Sequence, residues 1–425
     1  MLLTKGNQIY KNDKPFFYLA DTCWSAFTNI TLNEWKYYLD YRASQGFNVI
    51  QINILSQWDA SKATFELLPF PITRNKNHYS YDYSKPNLKY FARAEKMLQM
   101  VREHNMIPAL VLLWSNYVPD TWAGKIAFNN HFAYDELENY VSFVTEKFKR
   151  FSPIYFVSGD TDFPTEKAIN YYEKVFEVAK QHDPDALYSF HIKGRLAELP
   201  EQFYKKIDFF SYQSGHNFAG QKTAFSIPFD LRKKGFTHPI INTEPCYEQI
   251  SYSRNIYGRY TARDVRQASW SSVLSGAGAG ITYGAHGIWS WHQLGQKFGL
   301  VAGEGFDFPF DWRDALHFNG ANDIAYLKKI VSSLFENGIE PVDVLLKKEI
   351  TIRVGSDPQR KRYIIYLPTN TNLDVSNLGL NDENSHARVF YLDERTSHPL
   401  NYLNKTLLQM SRAQADSIIV LEKED

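Results

Sequence analysis

Residues 239–248 read PIINTEPCYE, and this stretch decides how the rest of the chain is interpreted. A short apolar run leads through Asn242 to Glu244, and Pro245 follows at once. A run of this kind, closed by a proline, is typical of a buried strand that ends abruptly. Residues 154–163, IYFVSGDTDF, repeat the pattern and bring Asp160 to the end of a second predicted strand. Two acids at the tips of buried strands predict a site where paired carboxylates do the chemistry.

The composition narrows the classes of protein that the chain can represent. Its 425 residues include 47 Lys+Arg and 47 Asp+Glu, so the formal net charge is zero. Nucleic acids and anionic membranes favour basic partners, and we expect neither as a partner here. Aromatic residues make up 16% of the chain. Such rings fill cores, and they also stack on the apolar faces of sugars.

The cysteines and the N-terminus indicate the cellular context. Cys23 and Cys246 are the only cysteines, which is too few for a disulfide framework. The first residues lack a basic segment followed by an apolar run, and no stretch approaches the ~18 apolar residues of a membrane helix. The sequence therefore predicts a cytoplasmic protein.

Strand-like and helix-like segments alternate through residues 1–337, which predicts βαβ units and a parallel sheet. Eight such units favour a (β/α)8 TIM barrel, and no glycine fingerprint after the first strand supports a dinucleotide-binding fold. We predict the first strand over residues 16–20 and the eighth over residues 280–290. Active sites of such barrels lie at the C-terminal strand ends. The residues predicted at or near those ends are Asp21, Asn53, Trp114, Asp160, His191, Gln213, Glu244 and Trp289.

The pattern changes in residues 338–425, where helical periodicity gives way to short strands between turn-rich segments. The strands are predicted over residues 342–346, 350–354, 362–367, 388–392 and 418–422. This second domain is predicted to be a small antiparallel β-sandwich packed behind the barrel.

Asp160 and Glu244 are the predicted catalytic pair. Glycoside hydrolysis uses one carboxyl group to protonate the leaving oxygen and a second as nucleophile or base. The two acids follow the fourth and seventh strands, on nearly opposite sides of an eight-strand ring. Each alone could equally be a helix cap or an ion-pair partner. The nearby Asp162 and Glu248 lie further into their loops and are interpreted as caps or solvated groups.

Other residues at the strand ends are candidates for substrate binding. Asp21 could bind sugar hydroxyls or could hold the first loop in place. The tryptophans could form the floor of a sugar pocket or could belong to the core. His191 and His216 could form a metal pair with Asp160, but their spacing does not support one, so no metal and no cofactor are predicted. The full predicted set is Asp21, Trp24, Asn53, Trp58, Trp114, His191, Gln213, His216, Trp289 and Trp291.

Several motifs resemble those of the apiosidase-like glycoside hydrolases. They are KPFFYLADTCW, GFNVIQINIL, VSGDTD, INTEPCYE and GAGAGITYGAHGIWSW, with RVFYLDERTSHPL near the C-terminus. The resemblance implies a barrel similar to the clan A glycosidases, followed by a β-sandwich labelled a collagen-binding domain. It implies Asp160 as general acid/base, Glu244 as nucleophile, and apiose-containing side chains as substrate. Typical clan A enzymes carry Asn-Glu after the fourth strand, where this chain carries Gly159-Asp160.

The prediction from the sequence is therefore a glycoside hydrolase that acts on a plant-type glycoside or oligosaccharide, with retention of configuration. Carbohydrate is the only partner expected. One alternative is an endo-β-glycanase of the cellulase type, which would need an open groove. The other is a non-catalytic carbohydrate-binding barrel, against which the presence of both acids argues.

Overall fold

Eight parallel strands form the barrel core of this computed structural model, which describes residues 2–62, 68–75, 78–299, 305–346, 351–410, 412 and 416–424. The strands are β1 (Tyr18–Thr22), β2 (Val49–Asn53), β3 (Ile107–Trp114), β4 (Ile154–Gly159), β5 (Tyr188–Ser189), β6 (Phe210–Tyr212), β7 (Ile240–Asn242) and β8 (Gly280–Tyr283). Around the sheet they follow the order β5-β4-β3-β2-β1-β8-β7-β6. The ring is nearly closed, because Asp208 N–H donates to Tyr188 O at 2.9 Å between β5 and β6. The predicted (β/α)8 barrel is confirmed.

A helix follows each strand. These are α1 (Leu32–Gln45), α2 (Leu88–Glu103), α3 (Leu137–Phe148), α4 (Glu166–His182), α5 (Glu201–Tyr204), α6 (Thr223–Lys233), α7 (Ala262–Leu274) and α8 (Gly320–Leu334). Local sequence sets several of their ends. Thr31 and Glu34 form a capping box at the start of α1, and Gly46 ends that helix with φ 92°.

Smaller elements complete the barrel domain. The strands Leu2–Lys5, Gln8–Lys11 and Lys14–Pro15 form an antiparallel sheet before β1, and Ile72–Asn75 pairs with His78–Tyr81 in the β2–α2 loop. Short helices lie in the loops at Ala26–Asn29, Trp122–Ile126 and Trp312–Leu316. In the described ranges, no helix combines the length and the apolar character that crossing a membrane requires.

Two predicted strand boundaries are wrong. Strand β1 runs on to Thr22, so Asp21 lies inside the strand, opposite Ile50 and Tyr283 of its neighbours. Strand β8 ends at Tyr283 instead of continuing to residue 290. After it the chain turns tightly at Gly287, whose φ is 145°, and His292 N–H donates back to Gly287 O.

The C-terminal part contains a six-stranded antiparallel sheet. Its strands, in spatial order, are Glu340–Pro341, Arg353–Ser356, Arg362–Leu367, Ser417–Lys423, Ser385–Tyr391 and Thr396–Leu400. A second, two-stranded sheet pairs Leu373–Asp374 with Leu407–Leu408. The strand predicted at residues 342–346 is placed earlier, at Glu340–Pro341. Of the next prediction, residues 350–354, residue 350 lies outside the described residues, and the strand that forms there is Arg353–Ser356.

The six-stranded sheet covers the barrel with one face. Side chains alternate along a strand, so Ile364 and Ile418 pack into the barrel core cluster. Their neighbours Ile365 and Ile419 belong to a separate cluster on the other face. The two apolar faces of this sheet explain why the segment packs as a layer behind the barrel.

A buried ion network joins the barrel helices to this sheet. Arg266 of α7 makes bonds of 2.9 and 2.7 Å to the two carboxylate oxygens of Asp416. Its remaining terminal nitrogen lies 2.7 Å from Asp323 of α8, which Arg395 also contacts at 3.0 Å. The side chains of Asp416 and Asp323 are 0% and 2% exposed. Paired charges of this kind are stable in a core only while every partner stays in place.

Candidate active site

Asp160 and Glu244 line one cavity at the C-terminal end of the barrel. The cavity has an empty volume of about 710 Å³, including its open mouth. Loops from all eight strands contribute to its lining. The lining residues are Trp24, Gln57, Asp59, Trp114, Trp122, Asp160, Lys193, Gly194, Arg195, Gln213, Gly215, His216, Asn217, Glu244, Tyr247, Ile250, Trp289 and Phe306.

Two histidines contact the carboxylate of Glu244, which is 8% exposed. His216 Nε2 lies 3.0 Å from Oε1 in a hydrogen bond. His191 Nε2 lies 3.2 Å from Oε2, off the line of an ideal hydrogen bond. Burial alone would raise the pKa of Glu244, but the contacts from His191 and His216 outweigh it and lower the pKa from 4.5 to about 2. Glu244 is therefore ionised at neutral pH.

Backbone N–H groups fix which ring nitrogen of each histidine carries the proton. The N–H of Asp160 donates to Nδ1 of His191 at 3.2 Å, and the N–H of Tyr247 donates to Nδ1 of His216 at 3.4 Å. A nitrogen that accepts a hydrogen bond has no proton of its own, so the proton of each neutral ring sits on Nε2. Both Nε2–H groups then face Glu244. His191 thereby connects the backbone at one acid to the side chain of the other.

Gln213 holds the side chain of Asp160. Its Nε2 lies 2.6 Å from Asp160 Oδ1 and 2.8 Å from the carbonyl oxygen of Ile192. A carbonyl can only accept, so the atom facing it is the amide nitrogen, and that nitrogen donates its second hydrogen to Oδ1. Oδ1 is thus an acceptor. The unprotonated oxygen of a carboxyl group is the better acceptor, so this contact favours a proton on Oδ2.

The backbone at Asp160 is shaped by the residue before it. A Cβ atom at Gly159 would lie 2.3 Å from the indole ring of Trp114, so no side chain fits there. Asp160 itself has φ 49°, in the left-handed region that few non-glycine residues occupy. The close approach of Trp114 gives a physical reason for glycine where typical clan A enzymes carry asparagine.

Aromatic rings form much of the cavity wall. Trp24 donates from Nε1 to the hydroxyl of Tyr247 at 3.0 Å, and the rings of Trp24 and Trp114 meet edge to face at 5.1 Å. Trp289 donates from Nε1 to Nδ1 of His286 at 3.1 Å. Burial lowers the pKa of His286 to about 3, so the ring is neutral and accepts this bond. Three of the predicted tryptophans therefore line the cavity.

Five predicted substrate-binding residues are absent from the cavity lining; one of them, His191, still contacts Glu244, and the other four lie elsewhere. Asp21 points outward to α1, where Arg42 Nε lies 2.5 Å from its Oδ2 and both side chains are fully buried. Burial raises the pKa of Asp21 although Arg42 opposes this shift. Strand β1 continues two residues past its predicted end, so Asp21 lies within it, and its side chain points to the face opposite to that of its neighbours Ala20 and Thr22.

The other three residues, Asn53, Trp58 and Trp291, contact neighbouring side chains. Asn53 bonds to Gln57 at 3.0 Å. Trp58 packs against Trp122 with ring centroids 5.7 Å apart. Trp291 is 1% exposed and stacks on a tryptophan of a short loop helix, 4.4 Å away. These contacts support the loops that carry the cavity.

Asp162 and Glu248 act as caps, as interpreted from the sequence. Asp162 accepts from the backbone N–H of Trp122 at 3.1 Å, at the start of a short helix. Glu248 accepts from the N–H of Gly320, the first residue of α8, at 2.8 Å, and from the hydroxyl of Tyr283 at 2.6 Å. A carboxylate at a helix N-terminus is stabilised by the helix dipole.

The sequence did not single out several lining residues. The sequence contains a hint that Tyr247 belongs to the site, because this residue lies three positions after Glu244 in the same motif. The others come from long loops without periodicity, and nothing in the local sequence places them at the site. They include Gln57, Asp59, Trp122, Lys193, Arg195, Asn217 and Phe306. In the part of the chain that the structure describes, no group of three or more His, Cys, Asp or Glu residues is arranged to hold a metal ion.

Solved structures of the same fold are glycosidases. A protein described as a glycoside hydrolase aligns with a TM-score of 0.79 at 19% identity, over 99% of this chain and 96% of its own. A glycoside hydrolase family 5 protein from Bacteroides vulgatus ATCC 8482 gives 0.78 at 17% identity, over 99% and 93%. A GH30 endoxylanase from Clostridium papyrosolvens C71 gives 0.53 at 8% identity, over 96% and 97%. At such low sequence identities, the similarity to these structures shows that the fold is shared. The sequence matches no curated protein.

A (β/α)8 barrel with two acids facing one aromatic cavity defines the chain as a glycoside hydrolase. Residues 4–336 match the family model described as "Apiosidase-like, catalytic domain". The chain belongs to the apiosidase-like family, as its motifs indicated.

Proposed function

We propose that this enzyme hydrolyses a plant-type glycoside or oligosaccharide with retention of configuration, with Asp160 as general acid/base and Glu244 as nucleophile. One observation carries the proposal: Glu244 lies in the same cavity as Asp160 and is kept ionised by His191 and His216. A nucleophilic carboxylate must be unprotonated, and an acid partner must carry a proton. The environment of Glu244 supports its part of this division.

In the first step, Asp160 transfers the proton on Oδ2 to the oxygen of the leaving group while Glu244 attacks the anomeric carbon. The bond to the leaving oxygen breaks, and a covalent glycosyl ester forms with Glu244. The Nε2–H groups of His191 and His216 hold the attacking carboxylate in place. Gln213 keeps Oδ1 of Asp160 occupied, so the proton is available from one oxygen only.

In the second step, Asp160 takes a proton from a water molecule, and the resulting hydroxyl attacks the anomeric carbon. The ester bond to Glu244 breaks, which frees the sugar with its original configuration and restores the proton on Asp160. Trp24, Trp114 and Trp289 give the cavity an apolar wall against which a sugar ring can pack. The resemblance to apiosidases favours a plant-type glycoside that contains apiose.

The test is a panel of aryl glycosides and plant oligosaccharides, with Asp160→Asn as the inactive control. We expect at least one glycoside to be hydrolysed by the wild type and not by this variant. Proton NMR of the first product should show the anomeric configuration of the substrate. Release of the opposite anomer would contradict the nucleophilic role, and no hydrolysis of any glycoside would contradict the proposed substrate class.

A further inference from the structure

Two basic side chains line the cavity, Lys193 and Arg195, and both belong to the loop that follows β5. Neither takes part in the two chemical steps. The other charged lining residues are the acids Asp59, Asp160 and Glu244. A charged side chain that gives up part of its contact with water usually has a partner of opposite charge. The surroundings of the two basic residues therefore indicate what kind of group the cavity is built to receive.

Arg195 is half-buried, and its aliphatic stem lies over the backbone of Gly220. A Cβ atom at Gly220 would lie 2.4 Å from Cδ of Arg195, so the absence of a side chain there makes room for the arginine. Among the residues that the structure describes, no carboxylate forms an ion pair with Arg195. A guanidinium group presents a planar fork of N–H donors that matches a carboxylate or a sulfate.

Lys193 is held in place by a ring and is only weakly paired. Its Nζ lies 5.5 Å from the ring centre of Trp122, which also lines the cavity, and such a contact keeps a flexible lysine over an aromatic face. Asp162 Oδ2 lies 3.9 Å from the same Nζ, which is too long for a hydrogen bond. The lysine side chain is 38% exposed. Its ammonium group can therefore donate to an anion that enters the cavity.

Backbone contacts place both basic residues next to Asp160. The N–H of Lys193 donates to the carbonyl oxygen of Thr161, the residue after Asp160, at 2.8 Å. The N–H of Arg195 donates to the carbonyl oxygen of Gln213 at 2.8 Å, and the amide of Gln213 in turn holds Asp160. The acid of a glycosidase protonates the oxygen that joins the leaving group, so groups around it face that part of the substrate. The two cations thus lie on the leaving-group side of the site.

We propose that Lys193 and Arg195 form an anion-binding subsite for the leaving group, so that the enzyme prefers substrates whose leaving group carries a carboxylate or a sulfate. This inference rests on the proposed function, and it names the chemical class of leaving group that the site accepts. Two like charges in one cleft also attract an oppositely charged substrate before it binds. A uronic acid and a sulfated sugar supply the same charge, and the experiment separates them.

The experiment measures kcat/KM of the full-length enzyme for three aryl apiosides whose phenyl ring carries a carboxylate, a sulfonate or an uncharged carboxamide. If the panel of aryl glycosides identifies another sugar, the same three aglycones are attached to that sugar, and Asp160→Asn gives the background. We expect kcat/KM to be about tenfold higher for an anionic aglycone than for the carboxamide, as for a hydrogen bond to a charged group. This ratio should fall toward one when Lys193→Met and Arg195→Met are combined. Lys193→Arg and Arg195→Lys keep the charges and should keep the preference.

The matched control is Lys205→Met, which removes an exposed cation directly after α5 and should leave the ratio unchanged. Every variant is compared on the same three substrates, so the intrinsic reactivity of the aglycones cancels. The ratio of the wild type tests the proposal even where a methionine variant does not fold.

A higher kcat/KM for the carboxylate than for the sulfonate would assign the subsite to uronic acids, and the reverse order would assign it to sulfated sugars. A ratio near one in the wild type, or a preference that survives both methionine changes, would overturn the anion-binding subsite and leave the glycosidase function intact. Failure of every glycoside to react above the Asp160→Asn background would instead overturn the proposed function, and the subsite with it.

Discussion

Gln213 donates its amide hydrogen to Asp160, with 2.6 Å between Nε2 and Oδ1, while the same nitrogen donates to Ile192 O at 2.8 Å. The backbone carbonyl fixes the orientation of the amide, and the amide then donates to Oδ1 of the carboxyl group. A residue that directly follows β6 thereby orients the carboxyl group of an acid that directly follows β4. The effect of this hydrogen bond on catalysis can be measured.

Replacing Gln213 by Met removes the donor while keeping a side chain of similar length. We expect a loss of about 10- to 100-fold in kcat/KM for substrates with poor leaving groups, as for a hydrogen bond to a charged group. Glycosides with good leaving groups, which need little acid assistance, should lose much less. The comparison is made with aryl glycosides of graded leaving-group pKa. Gln99→Met, on the exposed face of α2, is the matched control, and an equal loss across the series would show a merely structural role.

Asp160→Asn and Glu244→Gln should fold normally and lose at least ~1000-fold in turnover, because the two groups act as a unit. The matched controls are Asp162→Asn and Glu248→Gln, which change carboxylates in the same loops. Both should keep turnover within about tenfold, because neither carboxylate lines the cavity, and Glu248→Gln keeps an acceptor for the N–H of Gly320. Turnover and thermal unfolding are measured on all four variants. If only the two control variants lost turnover, the catalytic carboxylates would be Asp162 and Glu248 instead of Asp160 and Glu244.

Glu244 should make stability depend on pH in a defined window. Its pKa is about 2 in the folded protein and near the ordinary 4.5 in the unfolded chain. The folded state therefore binds fewer protons, so the contribution is complete above pH 4.5 and is lost as pH falls toward 2. We expect the difference in unfolding free energy between wild type and Glu244→Gln to shrink over this window. A difference that stays constant from pH 5 to 2.5 would show that His191 and His216 do not hold the carboxylate ionised.

The buried Arg266 network should hold the C-terminal sheet on the barrel. Asp416→Asn leaves two arginines, Arg266 and Arg395, to share the single carboxylate of Asp323, and breaking a buried ion pair typically costs about 3–5 kcal/mol. Urea unfolding measures this cost. Arg412→Met, which breaks the exposed contact with Glu394, is the control and should cost less than about 1 kcal/mol. Equal effects of the two changes would mean that the network does not secure the interface.

Deleting the residues after Gly338 removes the whole C-terminal sheet from the barrel. Helix α7 would lose the apolar cover that Ile364 and Ile418 provide, so solubility should fall more than turnover per folded molecule.

The sequence was informative where local chemistry decides the structure. The capping box of Thr31 and Glu34 marks the start of α1, and the buried runs before Asp160 and Glu244 mark two strand ends that the barrel brings to one cavity. These features depend on a few neighbouring residues, so they are visible without the fold.

Features that depend on register or on long loops could not be predicted. Strand β1 runs two residues further than predicted, so Asp21 is part of the strand, and the alternation of side chains directs it outward to Arg42. Trp122 and Lys193 reach the cavity through contacts between separate loops, for which no periodic pattern exists. The placement of such residues is set by tertiary packing.

The central claim assigns different roles to two carboxylates, and azide rescue tests both roles in one measurement. Asp160→Ala and Glu244→Ala are incubated with an activated aryl glycoside and sodium azide, and the anomeric configuration of each glycosyl azide is read by proton NMR. In Asp160→Ala, the covalent intermediate still forms on Glu244, and azide replaces the activated water, so the product should retain the configuration of the substrate. In Glu244→Ala, azide occupies the place of the missing carboxylate and attacks directly, so the product should be inverted. The opposite assignment of the two products, or rescue of neither variant, would contradict the account.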